Sequence, residues 1–306
     1  MTEDFIPVKK SQLSLFTDFP LFCFSKENKP LLFKKEGEQL KNFRIRDEPV
    51  PNLFIRRSDR ENAAIALYKT MNAHLAQTIF SQELVSTRQT LCTIIQEALE
   101  GPLSISGKML QETIELLFKG YTEKTTIMGS LAKLSSYSDQ VVEHTVNILS
   151  LTMQFCIFHH HSGADTKKLG LSAILHDIGC TQLPPEMTDT RTHLSDDEFK
   201  DYQTHTLKGY QTIKNSACFD PEIAMVALEH HEKLDGSGYP EGKTIISEEA
   251  QLIGLIVSYE PLTYRGTSRH MEPQKPFNAL QLLKNEVIAG KYSKHMFVKF
   301  CSCLTR

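Results

Sequence analysis

Histidines fall on the apolar faces of four successive predicted helices from Asp139 onward in this 306-residue chain, and that placement constrains its fold more than composition does. Val141, His144, Ile148, Leu151 and Phe155 recur at the spacing of one buried helical stripe between Asp139 and Phe158. Leu169, Ala173 and His176 share a face of a helix from about Lys167 to Ile178, so His176 and Asp177 arrive together at a core-facing helix end. Ser195 and Glu198 make a capping box for a helix reaching about Lys214, on which Tyr202, His205 and Gly209 are neighbours. Asp220 and Pro221 supply the N-cap and first turn of a further helix. Ile223, Val226, Ala227 and His230 align along it, which puts His230 and His231 where it ends.

A single histidine on an apolar face is more often a satisfied core side chain than a ligand. Four helices acting together change that reading. Burying His144, His176, His205, His230, His231 and the Asp177 carboxylate with no cation leaves a charge and several imidazoles uncompensated. One or two divalent ions compensate them, and neutral imidazoles with a carboxylate suit iron, manganese or zinc. The run EHHEKLDGSGYP, Glu229 to Pro240, carries two of these imidazoles straight into a turn. Gly236 and Gly238 open backbone conformations closed to other residues there, and Pro240 stiffens the exit.

Four runs in order resemble the HD-GYP family: EH at Glu143 and His144, HDIG at His176 to Gly179, HxxxG from His205 to Gly209, and HHExxDGxGYP at His230 to Pro240. Its members are bacterial phosphodiesterases that open the second messenger cyclic di-GMP at a site with two or more metal ions. The resemblance covers about Ser135 to the C-terminus. It implies a mainly α fold, a helical HD-superfamily bundle, with His176 and Asp177 as the catalytic pair. It also implies that Asp177 bridges two ions, His144 and His176 serving one and His205, His230 and His231 the other. Iron or manganese is the expected metal. Members with a third ion carry Glu where this chain has Gln140, which implies two ions. Glu232 and Asp235 are expected to support the histidines and fix the turn. Gly236, Gly238, Tyr239 and Pro240 would shape the pocket rim, with Tyr239 anchoring the loop.

The chain also departs from that family. HDIGK reads HDIGC here, so Cys180 stands where a lysine would lie near the substrate phosphate, and a lone cysteine at a helix end is expected to be inert. The family segment ADxxDALTxxRPYR corresponds to IVSYEPLTYRGTSR, Ile256 to Arg269. A ligand Asp becomes Val257, and an Arg and a Tyr become Gly266 and Ser268, while Arg269 is kept and is assigned to the substrate loop. Glu260, near one turn after Val257, aligns with the family's second Asp, which argues against it as a replacement ligand. Losing an oriented phosphate donor lowers turnover by about two to three orders of magnitude. The readings are therefore a cyclic di-GMP phosphodiesterase, weak or inactive in the limit; a degenerate receptor that binds metal and a cyclic dinucleotide or protein partner; and a hydrolase of another phosphoester.

Residues 1–58 read as a small β-rich or mixed module with a regulatory role, since FPLFCFS and KPLLFKK flank a turn at Lys26 to Asn28 and NLFIRR follows as a further strand. Residues 59–134 read as a helical linker, capped by Ser58 or Asp59 and broken near Gly101 and Gly120, that joins the module to a domain at 135–306, pairs two subunits, or packs on its own domain. A homodimer or a regulatory protein partner fits such a linker. A net charge of -3 argues against long nucleic acid as a partner. Seven scattered cysteines suit a reducing compartment, the cytoplasm, and neither a signal pattern nor a membrane span is read. HHHSG, His159 to Gly163, is assigned to a helix end, and Cys301 with Cys303 to a mobile terminus.

Overall fold

The structure, a computed structural model, describes residues 4–9, 12–13, 19–38, 51–122, 125–134, 140–188, 194–265 and 274–304. The chain divides into two compact units, residues 1–74 and 75–306. The boundary between these units falls inside a helix.

In the first unit, β1 (Phe5–Val8), β2 (Leu21–Phe24), β3 (Pro30–Lys34) and β4 (Leu53–Arg56) form an antiparallel sheet in the order β1-β4-β2-β3. The β2–β3 hairpin closes where the sequence places its turn: Asn28 adopts a positive φ of 58°, and Ser25 N–H donates to Lys29 O at 2.9 Å. Edge-on pairs Phe5–Phe22 and Phe24–Phe54, with centroids 5.2 and 4.9 Å apart, stiffen this small sheet.

The helices are α1 (Arg60–Ser81), α2 (Leu84–Glu100), α3 (Leu103–Tyr121), α4 (Thr125–Lys133), α5 (Gln140–Phe158), α6 (Gly163–Leu175), α7 (Pro185–Thr188), α8 (Asp196–Gln203), α9 (His205–Ser216), α10 (Pro221–Glu229), α11 (Glu248–Glu260), α12 (Pro276–Ile288) and α13 (Lys294–Leu304). Among the described residues the fold is mainly α with one small sheet. Breaks fall near both expected glycines: Gly101 caps α2, and α3 ends at Tyr121, next to Gly120.

α5 is the axis of the second unit, with α2, α4, α6, α11 and α13 packed around it. Val146, Ile148, Leu149, Leu151, Met153 and Phe155 are buried, and so are its polar Thr145, Asn147, Ser150 and Thr152. A helix buried all round must satisfy its hydroxyls internally, and Thr145 and Ser150 do so on the carbonyls one turn back, at 2.9 and 2.7 Å. By length and composition Val141–Phe158 could cross a membrane, but 83% of that window is buried in the domain, which makes it the core helix. Arg88 on α2 pairs with Glu143 on α5 in a buried ion pair and donates to Leu131 O of α4 at 2.6 Å.

Three local expectations are corrected. The helix before the HD pair begins at Gly163, capped by Ser162, and stops at Leu175, ahead of Asp177 with φ −104° and ψ 15°. The helix after Ser195 keeps its capping box but splits at Thr204 into α8 and α9. The C-terminal segment is a docked helix: Phe300 and Cys303 are buried, and Gln154 of α5 donates to Cys303 O at 2.7 Å.

Candidate metal centre

Histidines reach the site from helix ends for a local reason. The last carbonyls of a helix lack an intrahelical donor. His176, His205 and His230 each follow a helix's last turn, and each Nδ1 meets the carbonyl three residues back: Ala173 O at 2.9 Å, Tyr202 O at 2.7 Å and Ala227 O at 3.0 Å. Only an N–H can serve a carbonyl, so the neutral rings carry their proton on Nδ1 and leave Nε2 bare.

Those bare nitrogens converge on Asp177. Its Oδ1 lies 3.3 Å from His205 Nε2 and 3.4 Å from His230 Nε2. Its Oδ2 lies 3.3 Å from His176 Nε2 and 3.7 Å from His144 Nε2. Two groups of potential ligand atoms result among the described residues, Asp177–His205–His230–His231 and His144–His176–Asp177, each with its atoms within 4.8 Å of one another. Asp177 belongs to both.

This arrangement fits a cation. Asp177 Oδ1, His205 Nε2 and His230 Nε2 are buried without a hydrogen-bond partner. Lone pairs face lone pairs across them, which burial makes costly. Protonation does not relieve it at His205, His230 and His231: burial pushes all three below the usual histidine value, His230 to about 4. For Asp177, burial opposes ionisation, but the pull of the surrounding imidazoles, His176 foremost, outweighs it and holds the carboxyl well below its usual range.

His144 lies within a helix, not at an end, and finds a different partner. Its Nδ1 is 2.9 Å from Glu260 Oε2, and Glu260 Oε1 accepts from Asn147 Nδ2 at 2.6 Å. Glu260 is completely buried, and burial pushes its carboxyl up to about 8 against Asn147 and Arg88. Glu260 therefore does reach inward, behind His144, where a carboxylate orients a ligating imidazole. Asn147, one turn from His144, was missed; a polar residue on so apolar a helix was its signal.

The loop after the histidine pair is held by acids. Glu232 is buried and accepts from the backbone N–H groups of Glu241 and Lys243 at 2.8 and 3.0 Å. Glu229 accepts from Lys243 Nζ at 3.2 Å. Both secure the chain beyond the turn and neither bonds a histidine. Asp235 is exposed and accepts from Ser237 N and Oγ at 3.0 and 2.7 Å, so it serves its own turn and not the histidines. Gly236 has φ +79°, and a Cβ on Gly238 would lie 2.5 Å from Glu232 Cα, so the loop presses directly on the HHE segment. Tyr239 precedes Pro240 through a cis peptide and stacks on His231, centroids 4.6 Å apart at 23°.

Cys180 is buried, and burial with the nearby Asp177 charge pushes its thiol well above the usual value, in keeping with an inert side chain. Val257 is partly buried on α11. Gly266, Ser268 and Arg269 lie outside the described residues, as does the side chain of Gln140. In the HHHSG tract, His159 Nε2 meets Lys299 O at 3.0 Å and Ser162 caps α6, so the tract ends one helix and begins the next.

A helical bundle that gathers a histidine–aspartate pair with four further imidazoles defines an HD-type metal-centre domain. The chain belongs to the HD domain family, whose sequence model matches residues 131–290. It is 27% identical over 187 residues to a cyclic di-GMP phosphodiesterase of Thermotoga maritima, covering 58% of this chain and 50% of that protein. It is 33% identical over 110 residues to the cyclic di-GMP phosphodiesterase response regulator RpfG of Xanthomonas campestris, covering 32% and 29%. It is 28% identical over 138 residues to 3'3'-cGAMP-specific phosphodiesterase 1 of Vibrio cholerae, covering 43% and 30%. The matched segments thus span half or less of these relatives. The solved structure of Bd1817, an HDG"Y"P protein from Bdellovibrio bacteriovorus, shares the fold at a TM-score of 0.64 and 15% identity, over 99% of this chain and 100% of that one. The HD-GYP resemblance is borne out, at an identity that marks the chain as divergent.

Proposed function

We propose that the chain is a metal-dependent phosphodiesterase of HD-GYP type that hydrolyses cyclic di-GMP to a linear dinucleotide. Two divalent ions, iron or manganese, would be held by His144, His176 and Asp177 on one side and by Asp177, His205, His230 and His231 on the other. One observation carries the reading: a single buried carboxylate turns each oxygen toward a different set of imidazole nitrogens. When bound, such ions polarise phosphoryl oxygens and lower the pKa of water. The protein's own residues keep the ligands aligned. Backbone carbonyls fix three rings, Glu260 fixes His144, and Tyr239 covers His231. Relatives named as cyclic di-GMP and 3'3'-cGAMP phosphodiesterases support a cyclic dinucleotide as the substrate class. In this reading the N-terminal module at 1–58 regulates the domain at 135–306 through residues 59–134. The protein works in the cytoplasm, which its seven free thiols support.

The test is turnover of cyclic di-GMP by iron- or manganese-loaded protein beside His176→Ala and Asp177→Ala. Product that disappears in both variants upholds the proposal; no product from a demonstrably metallated protein sinks it. A second reading, a receptor that binds without turnover, is favoured by Cys180, whose buried protonated thiol replaces a cation, and by Val257, which offers no ligand atom. Binding of cyclic di-GMP without product would establish that reading.

A further inference from the structure

The imidazole cluster has an aromatic outer edge. Phe199 on α8 is 44% exposed although its ring meets two tyrosines. It stacks near-parallel on Tyr202, centroids 6.3 Å apart at 19°, and stands edge-on to Tyr239 at 6.1 Å and 81°. Tyr202 packs on His205 at 4.7 Å, and Tyr239 stacks on His231 at 4.6 Å. A lone exposed phenylalanine needs no explanation. This one is joined ring by ring to two histidines of the group on Asp177 Oδ1. Its spacing from His205 also puts it on the helix leading into the site.

A nucleotide carries its base across a ribose from its phosphate. A phosphate held by ions in the Asp177–histidine centre would bring a flat π-face to the margin of the site, where any purine could stack. We infer that Phe199 is the platform on which one purine base of the bound dinucleotide stacks, its ring set by Tyr202 and Tyr239. This rests on the phosphodiesterase reading and adds the residue that recognises the base.

The experiment is calorimetric titration of the manganese-loaded full chain with cyclic di-GMP and, separately, with inorganic phosphate, for wild type, Phe199→Leu and Phe199→Trp. Leucine keeps apolar bulk against the tyrosines but has no π-face. Cyclic di-GMP affinity should fall about tenfold in Phe199→Leu, in line with one base stacked on an aromatic ring. Phosphate affinity should stay unchanged, and Phe199→Trp should bind the dinucleotide at least as well as wild type. Equal dinucleotide affinity in wild type and Phe199→Leu overturns the platform and leaves the phosphodiesterase reading intact. A parallel loss of phosphate affinity assigns Phe199 to packing the site and also overturns it. Wild-type protein that takes up manganese and phosphate but no cyclic di-GMP defeats the substrate reading beneath it.

Discussion

Gly179→Ala should damage both the fold and the metal centre, and the structure supplies the size of the effect. Gly179 lies two residues after Asp177, where the 3-10 turn of Ile178–Gln182 crosses α9. A Cβ there would stand 2.6 Å from Gly209 N and 2.8 Å from His205 C, and closer still to His205 O. All three obstacles are backbone, so no side chain can swing aside. α9 would have to retreat by roughly 1.5 Å to regain van der Waals separation. Overpacking of this kind costs about 3 kcal/mol, the upper part of its usual range. For a unit of this size that lowers the melting temperature by roughly 6–12 °C. The retreat also carries His205 away from Asp177, and such a displacement in a catalytic site costs on the order of 100-fold in rate. Gly209→Ala is the control. Its Cβ would lie 3.4 Å from Gly179 N and 3.6 Å from Ala227 Cβ, which is ordinary contact, so it should be tolerated. Calorimetric melting and manganese titration of both variants decide the matter. Gly179→Ala with unchanged melting and full manganese uptake would refute the reasoning, and so would equal damage from Gly209→Ala.

Glu260→Gln should weaken manganese or iron affinity by about tenfold to a hundredfold through the loosened His144 ring, as partners of ligating histidines do elsewhere; unchanged affinity by titration calorimetry would remove Glu260 from the site. Native protein treated with iodoacetamide at pH 8 should carry no label on Cys156, Cys180 or Cys303, because burial pushes each thiol up, the first and last to about 12; rapid labelling of Cys180, read by peptide mass spectrometry, would contradict its assignment as inert. Metal-free protein should lose stability as pH falls from about 6.5 toward 4. Burial holds folded His230 neutral to about 4 while an unfolded histidine takes its proton near 6.5, so protons favour the unfolded chain in that window. His205 and His231 act in the same direction, while His176, raised by Asp177 against burial, and Glu260, raised by burial to about 8, take up protons on folding and oppose them; a urea midpoint at pH 5 no lower than at pH 7 would refute the predicted loss.

Much of this molecule was legible in its residues because the signals are local. The stripe through His144, the Ser195–Glu198 box and the Asp220–Pro221 start depend on helical period and on donors within one turn, and each appears as an element of the fold. The HD and HHE runs likewise carry their own geometry, since a histidine at a helix end finds its carbonyl three residues back. Boundaries were less legible: the split at Thr204 and the stop at Leu175 are short backbone departures inside sequences that look helical throughout.

Only tertiary structure decided the rest, because those contacts join residues far apart in the chain. Asp177 is shared between two groups of imidazoles by the way α5, α9 and α10 meet the end of α6, and no spacing along the chain encodes which oxygen faces which ring. Glu260 reaches His144 across 116 residues, so its place behind that ring comes from the packing of α11 against α5 and from no spacing along the chain. Gly179 is constrained by the backbone of α9, not by its own turn, and the C-terminal helix is fixed by the core it covers. The sequence by itself determined the ligand types and the helices that bear them; packing decided their pairing, since only a closed core gives each lone pair its neighbour.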